Sequence, residues 1–291
     1  MPAHRTSAPQ PHHQPHRALD RFIDSFLREH APRGEGTVSV CLGDVVGGPT
    51  YTRDEDTRHY AASTMKLPLL VAAYRRAERG EIDLDTEITV HNEFRSAFDG
   101  STFALSRADD QDDETWDRLG SPTSLRELTR RMIVKSGNLA TDLVLEQVGT
   151  DEVASVLADA GCSPATVLPR GIEDTAAREA GLDNLVTAAD LARVMRGIAG
   201  RTLAQERTCE AVEQVLARQE HRDMIPAGLP PGTSVANKTG WVDGVAHDVA
   251  IVRPTGTAYL LAVCTTIDVP EAEANALISE ISRLIWEGRA S

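Results

Sequence analysis

The sequence predicts an α/β fold of the α+β kind in two lobes, and three observations predict it. Short β-branched segments lie near both ends of the chain, helical segments fill the middle, and no internal repeat relates the two regions. One lobe is therefore expected from residues 18–62 and 221–291 together. A helical lobe, residues 63–220, is inserted within it, with the active site between the lobes. At 291 residues the chain is long enough to bury a substantial core.

The elements follow in order. Residues 1–17 are rich in Pro and His and lack an apolar run, which predicts a disordered tail. Its histidines (His4, His12, His13, His16) are a metal-ligand alternative that the tail's composition explains more simply. Leu19, Phe22, Ile23 and Phe26 repeat at helical spacing, giving an amphipathic helix over 18–30. Residues 37–42 (TVSVCL) read as a strand, and Gly47-Gly48-Pro49 turns the chain into a weaker second one. Residues 64–78 are helical, with Pro68 in the first turns where a missing N–H is tolerated. Residues 92–121 form a long excursion whose acidic run at 109–114 is expected to be solvated surface. Further helices are expected over 123–134, 138–148, 151–160, 187–199 and 204–219. Strands follow at 234–237, 248–253 and 258–265, and a helix over 271–287 closes the chain.

Composition narrows the function. A net charge of −14 repels phosphate backbones and anionic membranes, so nucleic acid and membrane surfaces are not expected partners. Four dispersed cysteines have no metal-ligand spacing and read as reduced thiols, three of them in apolar surroundings. With neither a signal peptide nor a bilayer-spanning run legible, the expected location is cytoplasmic.

The basic residues are more informative. Of 30, only three are lysine (Lys66, Lys135, Lys238), each within three residues of a Ser or Thr. Arg stays protonated, whereas a buried Lys can lose its proton, so a site needing a titratable amine cannot accept Arg. Coding bias toward Arg is the plain alternative. In Ser63-Thr64-Met65-Lys66, a spacing of three sets hydroxyl and amine on one helix face. Ser63 is then a candidate nucleophile with Lys66 as its base, and the Ser63 N–H at the helix start a candidate oxyanion donor. Ser136-Gly137-Asn138 precedes a helix and reads equally as a cap. Its functional reading makes Ser136 a proton carrier and Asn138 a ligand for a substrate carbonyl and the Lys66 amine. Lys238-Thr239-Gly240 follows a strand and fits a β-turn. On an edge strand it would instead form an anion site for a substrate carboxylate, with Gly240 allowing close approach and the Trp241 N–H a second oxyanion donor.

The ordered set S-x-x-K, S-x-N, K-T-G resembles the class A β-lactamases and the wider penicillin-recognising enzymes. The resemblance covers about residues 18–290 and includes SLRELTRRMIVKSGNLATDLVLEQVG and MIPAGLPPGTSVANKTG. It implies a β-lactamase/transpeptidase-like fold, an antiparallel sheet flanked by helices plus an all-helical lobe. It also implies that Ser63 is acylated, that Lys66 and Ser136 move protons, that Asn138 positions substrate, and that Lys238 and Thr239 hold its carboxylate. No metal or organic cofactor is implied, only a small acyl substrate bearing a carboxylate. The match weakens at 170–175. There the family's Arg-x-Glu-Pro-x-x-Asn becomes Arg-Gly-Ile-Glu-Asp-Thr, leaving Glu173 as candidate deacylation base and Asp174 as its alternative. Gly137 stands where the family usually has Asp. His247 is read as a strand-capping histidine or a second general base. The expected activity is thus serine acyl hydrolysis of an amide, β-lactam or ester. The alternatives are an acyltransferase or peptidase on the same scaffold, or a sensor domain that acylates without turnover.

Overall fold

The computed structural model describes residues 16–290. Most of the predicted tail lies outside that range, but its last two residues do not: helix α1 runs His16–His30. Five antiparallel strands form the central sheet: β1 (Thr37–Asp44), β2 (Pro49–Arg53), β3 (Ser234–Val242), β4 (Val245–Arg253) and β5 (Tyr259–Thr266). They are ordered β2-β1-β5-β4-β3. β1 from the chain's start pairs with β5 from its end, Val40 opposite Val263, so the sheet is assembled from both termini as expected. β3 is an outer edge. It runs unbroken through Lys238-Thr239-Gly240, with Lys238 opposite Val249 and Gly240 opposite His247. The motif therefore lies inside a strand rather than in a turn beyond residue 237.

Alternation of side chains gives each face of the sheet its own core. Val38, Val40, Val235, Val252, Leu261 and Val263 meet α1 and the closing helix α8 (Glu271–Ala290). Cys41, Ala236, Val249, Ile251, Leu260 and Cys264 meet the helices from the middle of the chain. Those are α2 (Lys66–Glu78), α3 (Leu125–Val134), α4 (Asn138–Val148), α5 (Thr150–Asp159), α6 (Ala188–Ala199) and α7 (Glu206–Leu216). α6 packs directly on β1, β4 and β5, so one apolar core runs from the helices onto the sheet. The four cysteines are free thiols. No helix of the described residues is long and apolar enough to cross a membrane.

The excursion holds a two-residue hairpin (Phe94–Arg95 with Thr102–Phe103) and a short helix (Asp113–Trp116). Its acidic run is not all solvated surface. Asp112 is 2% exposed, with Arg131 Nε donating to it at 2.8 Å. Asp110 accepts from the backbone N–H groups of Asn138 and Leu139, each at 2.8 Å. It thereby caps α4, whose own N-cap residue, Gly137, has no side chain to do so.

Candidate active site

A cleft of about 880 Å³ lies where β3, the start of α2, the turn before α4 and the loop 170–175 converge. Ser63, Ser136, Asn138, Glu173 and Trp241 line it. Ser63 sits in a 3₁₀ turn, Ala62–Met65, that leads straight into α2. The preceding residue, Ala62, has φ 43°, a left-handed conformation costly for a residue with a Cβ, which presents Ser63 at the cleft wall. Gly240 shows why β3 must be glycine there: a Cβ would stand 2.8 Å from the backbone nitrogens of both Ser63 and Thr64.

Lys66 is wholly buried. Its Nζ donates to the Ser136 carbonyl at 2.6 Å and to Asn138 Oδ1 at 2.8 Å, and lies 3.4 Å from Ser136 Oγ. Lys238 Nζ reaches the same hydroxyl from the sheet side at 3.0 Å. Ser136 Oγ is therefore shared by two buried amines. Ser136 manages this in a left-handed conformation (φ 58°). Burial pushes the Lys66 amine down to about 7, against the opposing pull of Asp110, Asp142 and Asp112. Burial and the nearby Lys66 push Lys238 down as well, against Asp248.

Thr239 is buried and its Oγ1 has no partner among the described residues. Trp241 continues the edge strand beside Ser63. Lys135 does not join the other two lysines: it is partly exposed and pairs with Glu220 at 2.7 Å. Of the three lysines set beside a Ser or Thr, two meet at Ser136.

The loop beside the cleft separates Glu173 from Asp174. Asp174 is fully engaged, accepting from Ala177 N at 3.1 Å as a helix cap and from Ala97 N at 2.8 Å. Glu173 Oε2 accepts from Ser106 N at 2.8 Å. Its Oε1 is buried without a partner among the described residues, and burial pushes its pKa up. Arg170, 2% exposed, braces the loop through Leu182 O, Gly171 O and Asp183. The excursion thus forms one wall of the cleft and anchors this loop.

His247 is not in the cleft. It is buried, with Nε2 2.8 Å from the Tyr60 carbonyl and Nδ1 accepting from Thr265 N at 3.1 Å. His247 lies inside β4, opposite Gly240, so it braces the sheet from within instead of capping a strand, and both ring nitrogens are used by backbone, which removes the general-base reading.

Two buried acids escaped the sequence reading. Asp142 lies four residues after Asn138, hence on the same face of α4, and holds the loop through Ile172 N at 2.9 Å. Burial lifts it to about 8. Asp248 accepts from Asn237 Nδ2 and Ile225 N, both at 3.0 Å, and burial lifts it to about 7. The i,i+4 spacing from Asn138 was the available signal for Asp142; Asp248 offered none.

The chain is similar to known proteins over most of its length. The profile of the Beta-lactamase enzyme family matches residues 18–288. The chain belongs to the β-lactamase enzyme family. Among solved structures, a β-lactamase from Sphaerobacter thermophilus is 24% identical with a TM-score of 0.77, over 93% of this chain and 97% of that one. A β-lactamase from Xanthomonas campestris is 21% identical with a TM-score of 0.79, over 94% and 98%. PBP-A is 21% identical with a TM-score of 0.75, over 94% and 97%. No curated protein matches the sequence. The fold is the expected β-lactamase/transpeptidase-like one, and family membership supports a β-lactamase-like serine hydrolase.

Proposed function

We propose that this β-lactamase-like enzyme cleaves a small amide or β-lactam through an acyl-enzyme on Ser63. The observation that carries the reading is the chain Lys66 Nζ–Ser136 Oγ–Lys238 Nζ, with links of 3.4 and 3.0 Å, at the wall of the cleft that exposes Ser63. Lys66, held near 7, is part free amine at neutral pH and takes the Ser63 proton as Oγ attacks the carbonyl carbon. The N–H groups of Ser63 and Trp241 meet the oxyanion. As the C–N bond breaks, the leaving nitrogen takes its proton from Ser136 Oγ, which recovers one from Lys66. Lys238 and the unpartnered Thr239 hydroxyl hold the substrate carboxylate, and Asn138 aligns its carbonyl side.

Glu173 then removes a proton from water, the hydroxide attacks the ester, and Ser63 leaves with the proton. Its free Oε1 suits that role; Asp174, with both oxygens engaged, does not. Intact-protein mass spectrometry after adding penicillin tests the whole sequence. Wild type should gain one penicillin mass and return to the free mass, while Ser63→Ala should never gain it. A Ser63→Ala protein that still forms the adduct refutes the assignment.

A second reading follows from the anchoring of Glu173 to Ser106, which fixes the carboxylate's position on the loop. If that position suits an acceptor other than water, the acyl group passes to an amine or alcohol. Added amines would then give conjugates in preference to acid.

A further inference from the structure

We propose that Asp112 is a positioning residue for the Ser136-Gly137-Asn138 turn, its side chain filling from the excursion the space that a side chain at position 137 would occupy. The proposal rests on the reading of Ser63 as the acylated residue. Gly137 has φ −59° and ψ 128°, a conformation open to any amino acid. Its lack of a Cβ is therefore not a backbone requirement. What excludes a side chain is Asp112: a Cβ at 137 would stand 2.9 Å from Asp112 Cβ and 3.0 Å from its Oδ2.

Asp112 is fixed in turn. It is 2% exposed, and its carboxylate takes Nε and Nη2 of Arg131 and the Thr115 hydroxyl. Arg131 also accepts the Gly137 N–H at its carbonyl, at 3.3 Å. Side chain and backbone of one arginine thus hold both halves of the contact. Two residues earlier on the same loop, Asp110 accepts the N–H groups of Asn138 and Leu139. Asp110 thus bonds the turn just after Gly137, while the Asp112 side chain packs against Gly137 itself. Asn138 Oδ1 and the Ser136 carbonyl, which hold Lys66, are placed by these contacts.

The arrangement also sets charge. Burial lowers Lys66 while Asp110, Asp142 and Asp112 oppose it, and Lys238 faces it across Ser136 Oγ. Each acid favours the protonated amine, so removing one lets Lys66 lose its proton at lower pH.

Moving the carboxylate from one chain position to the other is the test. Full-length Asp112→Gly, which also removes the Cβ that would stand 2.9 Å from one at 137, Gly137→Asp and the double variant are labelled at Ser63 with a fluorescent penicillin, and their melting temperatures are recorded. Each single change should slow labelling at least about tenfold, one by removing the packing and the other by overfilling its space. The double variant should recover to within about threefold of wild type and regain melting temperature. A double variant that labels no faster than the slower single, or does not fold, overturns the proposal. Asp112→Asn keeps the shape and drops the charge, so the acid limb of its labelling rate should move to lower pH; an unmoved limb also overturns it. Ser63→Ala runs alongside. If labelling survives there, the nucleophile assignment has failed. If labelling needs Ser63 but the double variant does not recover, only the positioning role has failed.

Discussion

Lys66 depends on being shut away from water. With its amine held near 7 by burial, acylation should rise with pH through about 7 as the free amine forms. Lys66→Arg keeps a cation but cannot supply a free base, so the acylation rate should fall by about 10²–10⁴-fold. Stopped-flow mixing with a chromogenic cephalosporin measures this, and a variant within tenfold of wild type would remove Lys66 from the base role. Glu173→Gln separates the second half of the reaction. It should leave acylation unchanged and slow deacylation by about 10²–10⁴-fold, so the penicillin adduct persists in the mass spectrum. Rapid loss of that adduct would show that Glu173 is not the base. Lys66 and Lys238 stood out as candidates because Arg cannot supply a titratable amine and this chain keeps only three lysines, and Ser63 followed from its spacing of three to Lys66. Lys135 carried the same signal without the same fate, since a composition argument cannot tell a lysine facing the site from one facing Glu220.

At the scale of elements, the site depends on how closely β3 approaches the turn that opens α2. Gly240→Ala would push a methyl to 2.8 Å from two backbone nitrogens, neither of which can swing aside as a side-chain tip could. The expected cost is about 1–3 kcal/mol in denaturant melts, with labelling of Ser63 impaired beyond what that loss explains. A stable, fully active Gly240→Ala protein would mean the strand can retreat. Helix and strand positions were readable because apolar periodicity is a local property: α4 was placed at 138–148 from sequence and is found at Asn138–Val148. What faces what was not readable. The run at 109–114 looks like solvated charge, yet Asp110 and Asp112 turn inward because α4 lacks a capping side chain and Arg131 is buried. The continuation of β3 through Lys238-Thr239-Gly240 was hidden for a related reason, since those residue types suit a turn unless a neighbouring strand pairs with them.

Across the whole molecule, two buried histidines join the sheet to the segment that presents the nucleophile. His59 lies between Thr266 Oγ1 of β5 at 2.7 Å and Ser39 Oγ of β1 at 2.9 Å. His247 of β4 reaches the Tyr60 carbonyl, and the two rings meet edge to face at 5.4 Å. Residues 59–60 therefore hang on the sheet three residues before Ser63. Burial, then the neighbouring His247, lowers His59 from 6.5 to about 3. Between those values the unfolded chain binds the proton and the folded one does not, so stability falls as pH drops from 6.5 toward 3. One such group contributes a slope of at most about 1.4 kcal/mol per pH unit. Asp142 and Asp248 act oppositely, because their raised values let the folded chain bind protons first as pH falls through about 8 and about 7. The wild-type profile is therefore a composite, and the informative quantity is its difference from His59→Gln, which offers both hydroxyls an uncharged partner. That difference in unfolding free energy should shrink steadily as pH falls below 6.5, while staying level between pH 7 and 8. If the two curves ran parallel from pH 7 to 4, His59 would take up its proton in the folded protein as readily as in the unfolded chain. The link between sheet and nucleophile would then have to survive a buried charge.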